Sequence, residues 1–326
     1  MALTNGQDAD ANDFLNEALA DLTDHAQNAG KGVRTESDGK LSPHFIRRIF
    51  GNGADGDVTI SSPTTLTRDM YYNNLVVNST LTTNGYRIYV ANQISGTGTI
   101  DWGTPNNGGG GGVNINGGSA GAQSGSGFLK NTAGAIGGND DGNPTTPVSG
   151  SLGPAGATGG TGEAGTGAVA GAAANNLGAL VTTLGTMALL GGYFDSTGVL
   201  QPLRPNGSSG GERTGNGGST STLGGGGGSG ATGGLVLIAA KKWTGTFTIK
   251  SNGGNGGAGG TGSNGDGGGG AGGNGGNAIV VYDVKTWTGS FNLAGGTGGA
   301  AGGTGASAGS NGNTGVSFEI HAGQLV

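Results

Sequence analysis

The pattern of apolar and polar positions changes character along the chain. Near the start, Phe14, Leu15, Ala18, Leu19, Leu22 and Ala26 recur at helical spacing and form one apolar stripe. Asp10 and Asp13 suit the start of such a helix and Gly30 suits its end. At 1.5 Å per residue, about 18 residues make a helix about 27 Å long. One helix cannot bury its stripe alone. The pattern therefore predicts packing on copies of itself or on a larger assembly, because residues 31–50 offer little core besides Leu41, Phe45, Ile46, Ile49 and Phe50.

The period then shortens. Val58 to Ile60, Leu66, Tyr71 and Tyr72, Leu75 to Val77, Leu81, Arg87 to Val90, Ile94, and Thr99 with Ile100 read as short strands. Asn73-Asn74, Asn84-Gly85 and Gly96-Thr97-Gly98 punctuate them. Short, closely spaced strands rich in Thr, Val and Ile suit a small β-sandwich or a few β-helix-like coils.

From Gly103 onward the apolar pattern is interrupted by long glycine tracts. All but ten of the 82 glycines lie there. A stretch such as 253–261 carries almost no apolar side chains, and glycine loses the most backbone entropy on ordering. Either such tracts stay disordered or their backbones pack directly on one another. Between them lies a repeat: 234–249 matches 277–293, with Trp243-Thr-Gly-Thr-Phe247 recurring as Trp287-Thr-Gly-Ser-Phe291 at an offset of 44 (287 minus 243). A third, partial copy starts at Val316. Repeated strand pairs imply stacked units burying a shared strip of core.

Collagen needs unbroken glycine at every third place and much proline; the phase over 153–165 contains only Pro154 and is lost by Ala168. A flexible linker has no reason for the third-place period Asn252, Asn255, Ala258, Thr261, Asn264. Bundled polyglycine II helices do. This backbone has three residues per turn and no internal hydrogen bonds, so its N–H and C=O groups are available to neighbours; ten residues would span roughly 31 Å. The expected fold class is mainly β with a glycine-rich polyglycine II helix bundle and a short N-terminal α-helix. The expected divisions are a helical attachment segment at 1–50, a small β domain at 51–102 and a glycine-rich repeat domain at 103–326.

Composition narrows function mainly by exclusion. Charged residues are 10% and the net charge is −6, with 13 of the 34 charges in residues 1–50. No basic patch suggests nucleic acid. Cysteine is absent, which excludes disulfides and thiolate metal sites. His25, His44 and His321 are far apart in sequence, so no metal-ligand pair is indicated. The longest mostly apolar stretch, 177–194, is broken by glycines and predicts no membrane insertion. The first ten residues do not form a secretory signal. Loose Gly-x-Gly-x-x-Gly matches lack a βαβ context, so no nucleotide or other cofactor is implied.

Asp55, Asp57, Asp69 and Asp101 invite comparison with paired acids of glycan-cleaving β proteins, but turn and edge chemistry explains them more simply. Asp140 and Asp141 in a loop are a weak calcium pattern. Trp102, Trp243 and Trp287 read as core. Threonines at 64–67 and 80–83 faintly suggest an ice-binding face. The island 190–218 gathers Tyr193, Phe194, Arg204 and Arg213 between glycine tracts, either as a fastening loop or as a presented binding loop.

The segments from Leu3 to Phe14 and from Arg34 to Ile46 resemble the starts of phage tail-fibre and other virion structural proteins. The phrase Thr99 to Gly103 leading into 108–112, and later Leu235 to Ala240, is similar to glycine-rich fibre-tip proteins of phages. The resemblance implies a non-enzymatic virion surface protein. Its N-terminal segment would join other virion structural proteins through Phe14, Leu15, Leu19 and Leu22. A rigid distal domain would meet a host surface glycan or outer-membrane protein through Tyr193, Phe194, Arg204 and Arg213. Fibres of this kind favour homotrimers. The combination of anchor and glycine-rich domain in one chain departs from a separate tip adhesin. A decorating protein without a receptor, and an ice-binding or cell-surface glycine-rich protein, are the alternative expectations.

Overall fold

The computed structural model describes residues 49–112, 116–138, 192–194, 200–202, 208, 224–263 and 265–324. Strands β1 (Asp57–Ile60), β3 (Met70–Val77), β5 (Ile88–Gly96), β9 (Leu235–Trp243), β11 (Asn277–Lys285) and β13 (Ser317–His321) lie side by side in that order as a six-stranded sheet. The shorter β2 (Thr64–Thr65), β4 (Thr80–Thr82), β6 (Thr99–Asp101), β10 (Thr248–Lys250) and β12 (Phe291–Asn292) form a second sheet of five. Every pairing within these two sheets is parallel. The chain alternates between a long strand in one sheet and a short strand in the other. It is a β-solenoid in which each circuit stacks on the previous one. A separate antiparallel pair joins β7 (Gly192–Phe194) to β8 (Leu200–Pro202).

The mainly β expectation holds, and the parallel pairing selects coils over a sandwich. The helix expected between Asp10 and Gly30 lies outside the described residues. The sheets do not stop at residue 102: β5 pairs with β9 and β6 with β10, although 138 residues (97–234) and 146 residues (102–247) lie between them in the chain. The glycine tracts are therefore connections between solenoid circuits.

The core lies between the sheets. In the short-strand sheet, Leu81, Ile100, Ile249 and Phe291 stand in register as one column, the first three fully buried. Leu75, Val77, Ile88, Val90, Ile94, Val236, Ile238 and Val280 face them from the long strands. Burying each such side chain contributes about 1.5–3 kcal/mol. Register also corrects the repeat length. Trp243 pairs with Lys285 and Ile249 with Phe291, so one circuit advances 42 residues (285 minus 243, 291 minus 249), two fewer than the sequence motif. The two extra residues carry Trp287 past the strand end, where it meets Trp243 edge-on at 5.9 Å. Each indole N–H finds a backbone carbonyl: Trp243 donates to Val281 O at 3.0 Å and Trp287 to Phe247 O at 2.9 Å.

The third partial copy is β13, and no short strand follows it among the described residues. Ser317 and Glu319 occupy the register positions next to Ala278 and Val280, and His321 sits beside Tyr282. Polar residues thus replace the apolar ones, and Lys285 pairs with Glu319 over the end of the core. β13 lies at the edge of the sheet, and its polar and charged positions blunt that edge.

The glycine segments bond to one another backbone to backbone. The run 224–234 is central. Gly227 N donates to Gly268 O, Gly228 N to Gly109 O and Ser229 N to Ala135 O, each at 2.9 Å. The next three donors, Gly230, Ala231 and Thr232, go to Ala271, Asn106 and Thr132. Successive N–H groups turn to three different neighbours and come back to the first after three residues. Equivalent bonds link 251–262 to 293–303 (Gly256 N to Thr297 O, 2.8 Å) and 265–276 to 307–316 (Gly272 N to Ser310 O, 2.9 Å).

Glycine is required at the contacts. A Cβ at Gly228 would lie 2.0 Å from Ser119 O, at Gly257 2.0 Å from Gly109 O, and at Gly270 2.1 Å from Gly228 O. Side chains appear where the backbone faces outward, as at the exposed Asn255, Ala258 and Thr261. The asparagines have a second task. Asn255 N donates to Asn107 Oδ1 at 2.8 Å, and Asn255 Oδ1 accepts from Thr297 N at 3.0 Å. Asn252 accepts from Ala294 N in the same way, and Asn274 from Asn313 N. These amides satisfy outward N–H groups that have no neighbouring backbone to reach.

Candidate functional site

The sequence-predicted recognition residues belong to the connection between Gly138 and Gly224. Tyr193 and Phe194 lie on β7, in register with Gln201 and Leu200 of β8. Arg204 and Arg213 lie outside the described residues, as do Phe14, Leu15, Leu19 and Leu22 of the expected attachment helix. Asp140 and Asp141 are outside them too.

The two stems of this connection are well placed. Residues 131–138 lead away from the sheets and 224–234 lead back, held together by Gly226 N to Gly138 O (3.2 Å), Ser229 N to Ala135 O and Thr232 N to Thr132 O. The other segments reverse at the same end: Gly112 N meets Asn116 O at 2.8 Å, Gly267 N meets Gly260 O at 2.9 Å, and Gly309 N meets Gly299 O at 2.9 Å. The connection thus starts and finishes where these hydrogen-bonded glycine segments are furthest from the sheets. It also reaches back: Ser229 Oγ donates to Ser208 O at 2.7 Å and accepts from Ala135 N at 2.7 Å.

The carboxylates of the solenoid are occupied individually. Asp55 accepts from both Arg68 Nη atoms and from Tyr71 N. The Arg68 hydrogen bond holds it below the ordinary carboxylate value. Asp57 accepts from Asn74 and Asn73 and is lowered by those bonds, Asn74 first. Asp69 takes Arg87 Nε at 2.8 Å, and Asp101 takes Lys250 Nζ at 2.8 Å. The lowered values of Asp55 and Asp57 are opposite to the shift a glycosidase's general acid requires. Among the described residues no group of three His, Asp or Glu side chains is arranged to hold a metal ion. No described helix is long and apolar enough to cross a membrane.

Two regular outward surfaces were only partly legible in sequence. On the short-strand sheet, Thr80, Thr99 and Thr248 stand in register, and Thr248 Oγ1 lies 3.3 Å from Ser290 Oγ. Of the threonines noted at 80–83, Thr83 is instead fully buried. On the glycine segments, the exposed row Asn255, Ala258, Thr261 runs beside the exposed row Ala294, Thr297, Ala300. Finding this second surface required the 42-residue register, which places position 255 beside 297; the sequence motif alone suggests 44. Comparisons with protein-family models, curated proteins and solved structures returned no match.

Proposed function

We propose that this is a non-enzymatic fibre or attachment protein of a phage virion, in which the glycine segments are polyglycine II helices bundled into a rigid distal scaffold. The observation that carries the reading is the three-way rotation of donors along 224–234, the pattern a three-residue-per-turn helix makes inside a bundle. Among the described residues of these segments, positive φ is confined to Gly103, Gly125 and Gly265, which agrees with a uniform backbone elsewhere. Both stems of the 139–223 connection, ending at Gly138 and Gly224, lie at the remote end of this scaffold. Recognition loops on rigid supports bind without paying for their own ordering. Tyr193, Phe194, Arg204 and Arg213 are the proposed contacts with a host surface glycan or outer-membrane protein, and the N-terminal helix, through Phe14, Leu15, Leu19 and Leu22, the contact with other virion proteins. Assembly as a homotrimer belongs to the same reading.

The test is deletion of residues 1–40 in the parent virus. The melting transition of the purified protein should be unchanged and the protein should disappear from purified particles. Undiminished incorporation would overturn the attachment role.

A second reading is supported by the uncharged Asn, Ala and Thr rows on the bundle and the threonine row on the short-strand sheet: an ice-binding surface. Measurable thermal hysteresis of the purified chain would favour it, and none at millimolar protein would reject it.

A further inference from the structure

Asparagine followed by glycine recurs along the glycine segments, and these pairs share a geometry. Gly256 N donates to Thr297 O at 2.8 Å, and Thr297 N donates back to Asn255 Oδ1 at 3.0 Å. The pair Asn255-Gly256 thus clamps one residue of the neighbouring segment at two points. Asn252-Gly253 clamps Ala294 in the same way, Asn107-Gly108 clamps Asn255, and Asn274-Gly275 clamps Asn313. Asn311-Gly312 is also bonded at both groups, to Gly298 N and Gly296 O.

Asn52-Gly53 is built differently. Asn52 is exposed, and its Oδ1 accepts from Ala54 N, two residues on, at 3.1 Å. That bond folds the side chain over its own following backbone. Gly53 N has no hydrogen-bond partner among the described residues. Gly51 and Gly53 have φ of 80° and 70°, so Asn52 sits in a tight turn. Asn84-Gly85 is also a turn, but Asn84 Oδ1 is held by Ser126 N and Gly85 is buried.

These differences decide a reaction. The backbone nitrogen of the residue after an asparagine loses its proton to solvent base and bonds to the asparagine Cγ. Ammonia leaves, taking up a proton, and a five-membered succinimide remains. Water then opens either ring carbonyl, giving aspartate or isoaspartate. Glycine favours the first step, because no Cβ shields its nitrogen and its backbone reaches the required angles. In a clamped pair the attacking N–H is bonded to a neighbour's carbonyl and the amide oxygen is pinned to that same neighbour. Two segments must separate before the ring can close. At Asn52 the nitrogen carries no such bond, and Ala54 N–H is placed to stabilise the oxyanion that develops on Oδ1.

We propose that Asn52 is a site of spontaneous deamidation, and that the Asn-Gly clamps hold the same reaction off in the glycine segments. Conversion adds a carboxylate close in the chain to Asp55 and Asp57. The isoaspartate product also lengthens the main chain by one methylene between Phe50, buried against the long-strand sheet, and β1. In the clamped segments the same lengthening would break the three-residue period, so the bonds that order the bundle also preserve its covalent backbone. This holds whatever the distal end binds.

The purified full chain, aged in mildly alkaline buffer and read site by site by peptide fragmentation in a mass spectrometer, tests it. In the folded chain, Asn107, Asn252, Asn255, Asn274 and Asn311 should convert roughly 10- to 100-fold more slowly than Asn52, since each must first lose two hydrogen bonds. In denaturant all six should convert at similar rates. Conversion of the clamped asparagines as fast as Asn52 in the folded chain would overturn the proposal. So would an Asn52 that stays intact when folded and converts only in denaturant.

Discussion

Gly257 and Gly110 have the same side chain and opposite constraints. A Cβ at Gly257 would meet Gly109 O at 2.0 Å, while at Gly110 the nearest atom is Ala258 O at 3.6 Å. Gly257→Ala must push two backbones apart and should cost at least about 2–3 kcal/mol. Gly110→Ala should be neutral or stabilise by up to about 1 kcal/mol, because it restricts only the unfolded chain. Denaturant melts of the two variants distinguish these outcomes; equal effects would mean that the segments do not touch. A second residue-scale prediction concerns alkali. Burial pushes Tyr72 and Tyr89 up to about 12 from 10.0. Each keeps its proton to higher pH folded than unfolded, so the associated stability is complete below pH 10 and is lost as pH rises through 12. The melting temperature should fall over that window, and replacing both tyrosines by phenylalanine should flatten the fall.

At the scale of elements, the strands around Leu75, Ile88 and Ile100 were readable because their apolar alternation is local. So was the core role of Trp243 and Trp287. Sequence did not reveal that β5 and β9 are neighbours, since nothing in either strand records a partner beyond a long insertion. Nor did it reveal the two-residue slip between the tryptophan motif and the register, which is set by backbone pairing. The every-third-residue asparagines were visible, but their use as acceptors for a neighbour's N–H depends on a register that only the sheets define. The burial of Ile49 and Phe50 was missed for a different reason: two apolar residues look too few for a core until a sheet face is there to receive them. From these pairings, residues 103–326 expressed alone should fail to fold, because β9 and β10 lose β5 and β6. Circular dichroism with a thermal scan checks this; a cooperative melt of the fragment would show that the glycine-rich part needs no solenoid.

For the whole molecule, the solenoid acts as a register block. The circuits that begin with β5, β9 and β11 send out pairs of glycine segments, and the stacking of circuits sets the spacing at which those segments meet. Side chains contribute little to the bundle, so order there depends on backbone bonds being made together. Of the expected recognition residues, Tyr193 and Phe194 lie in the local pairing of β7 with β8, and Arg204 and Arg213 lie outside the described residues; composition alone made none of their contacts legible. The measurement that tests the account most directly is amide hydrogen exchange of the full chain by NMR. Gly228, Gly257 and Gly270, each bonded in the bundle interior, should be protected to the same degree as Ile249 and Val280 in the solenoid. Free exchange at these glycines, with Ile249 and Val280 still protected, would contradict an ordered backbone-bonded bundle.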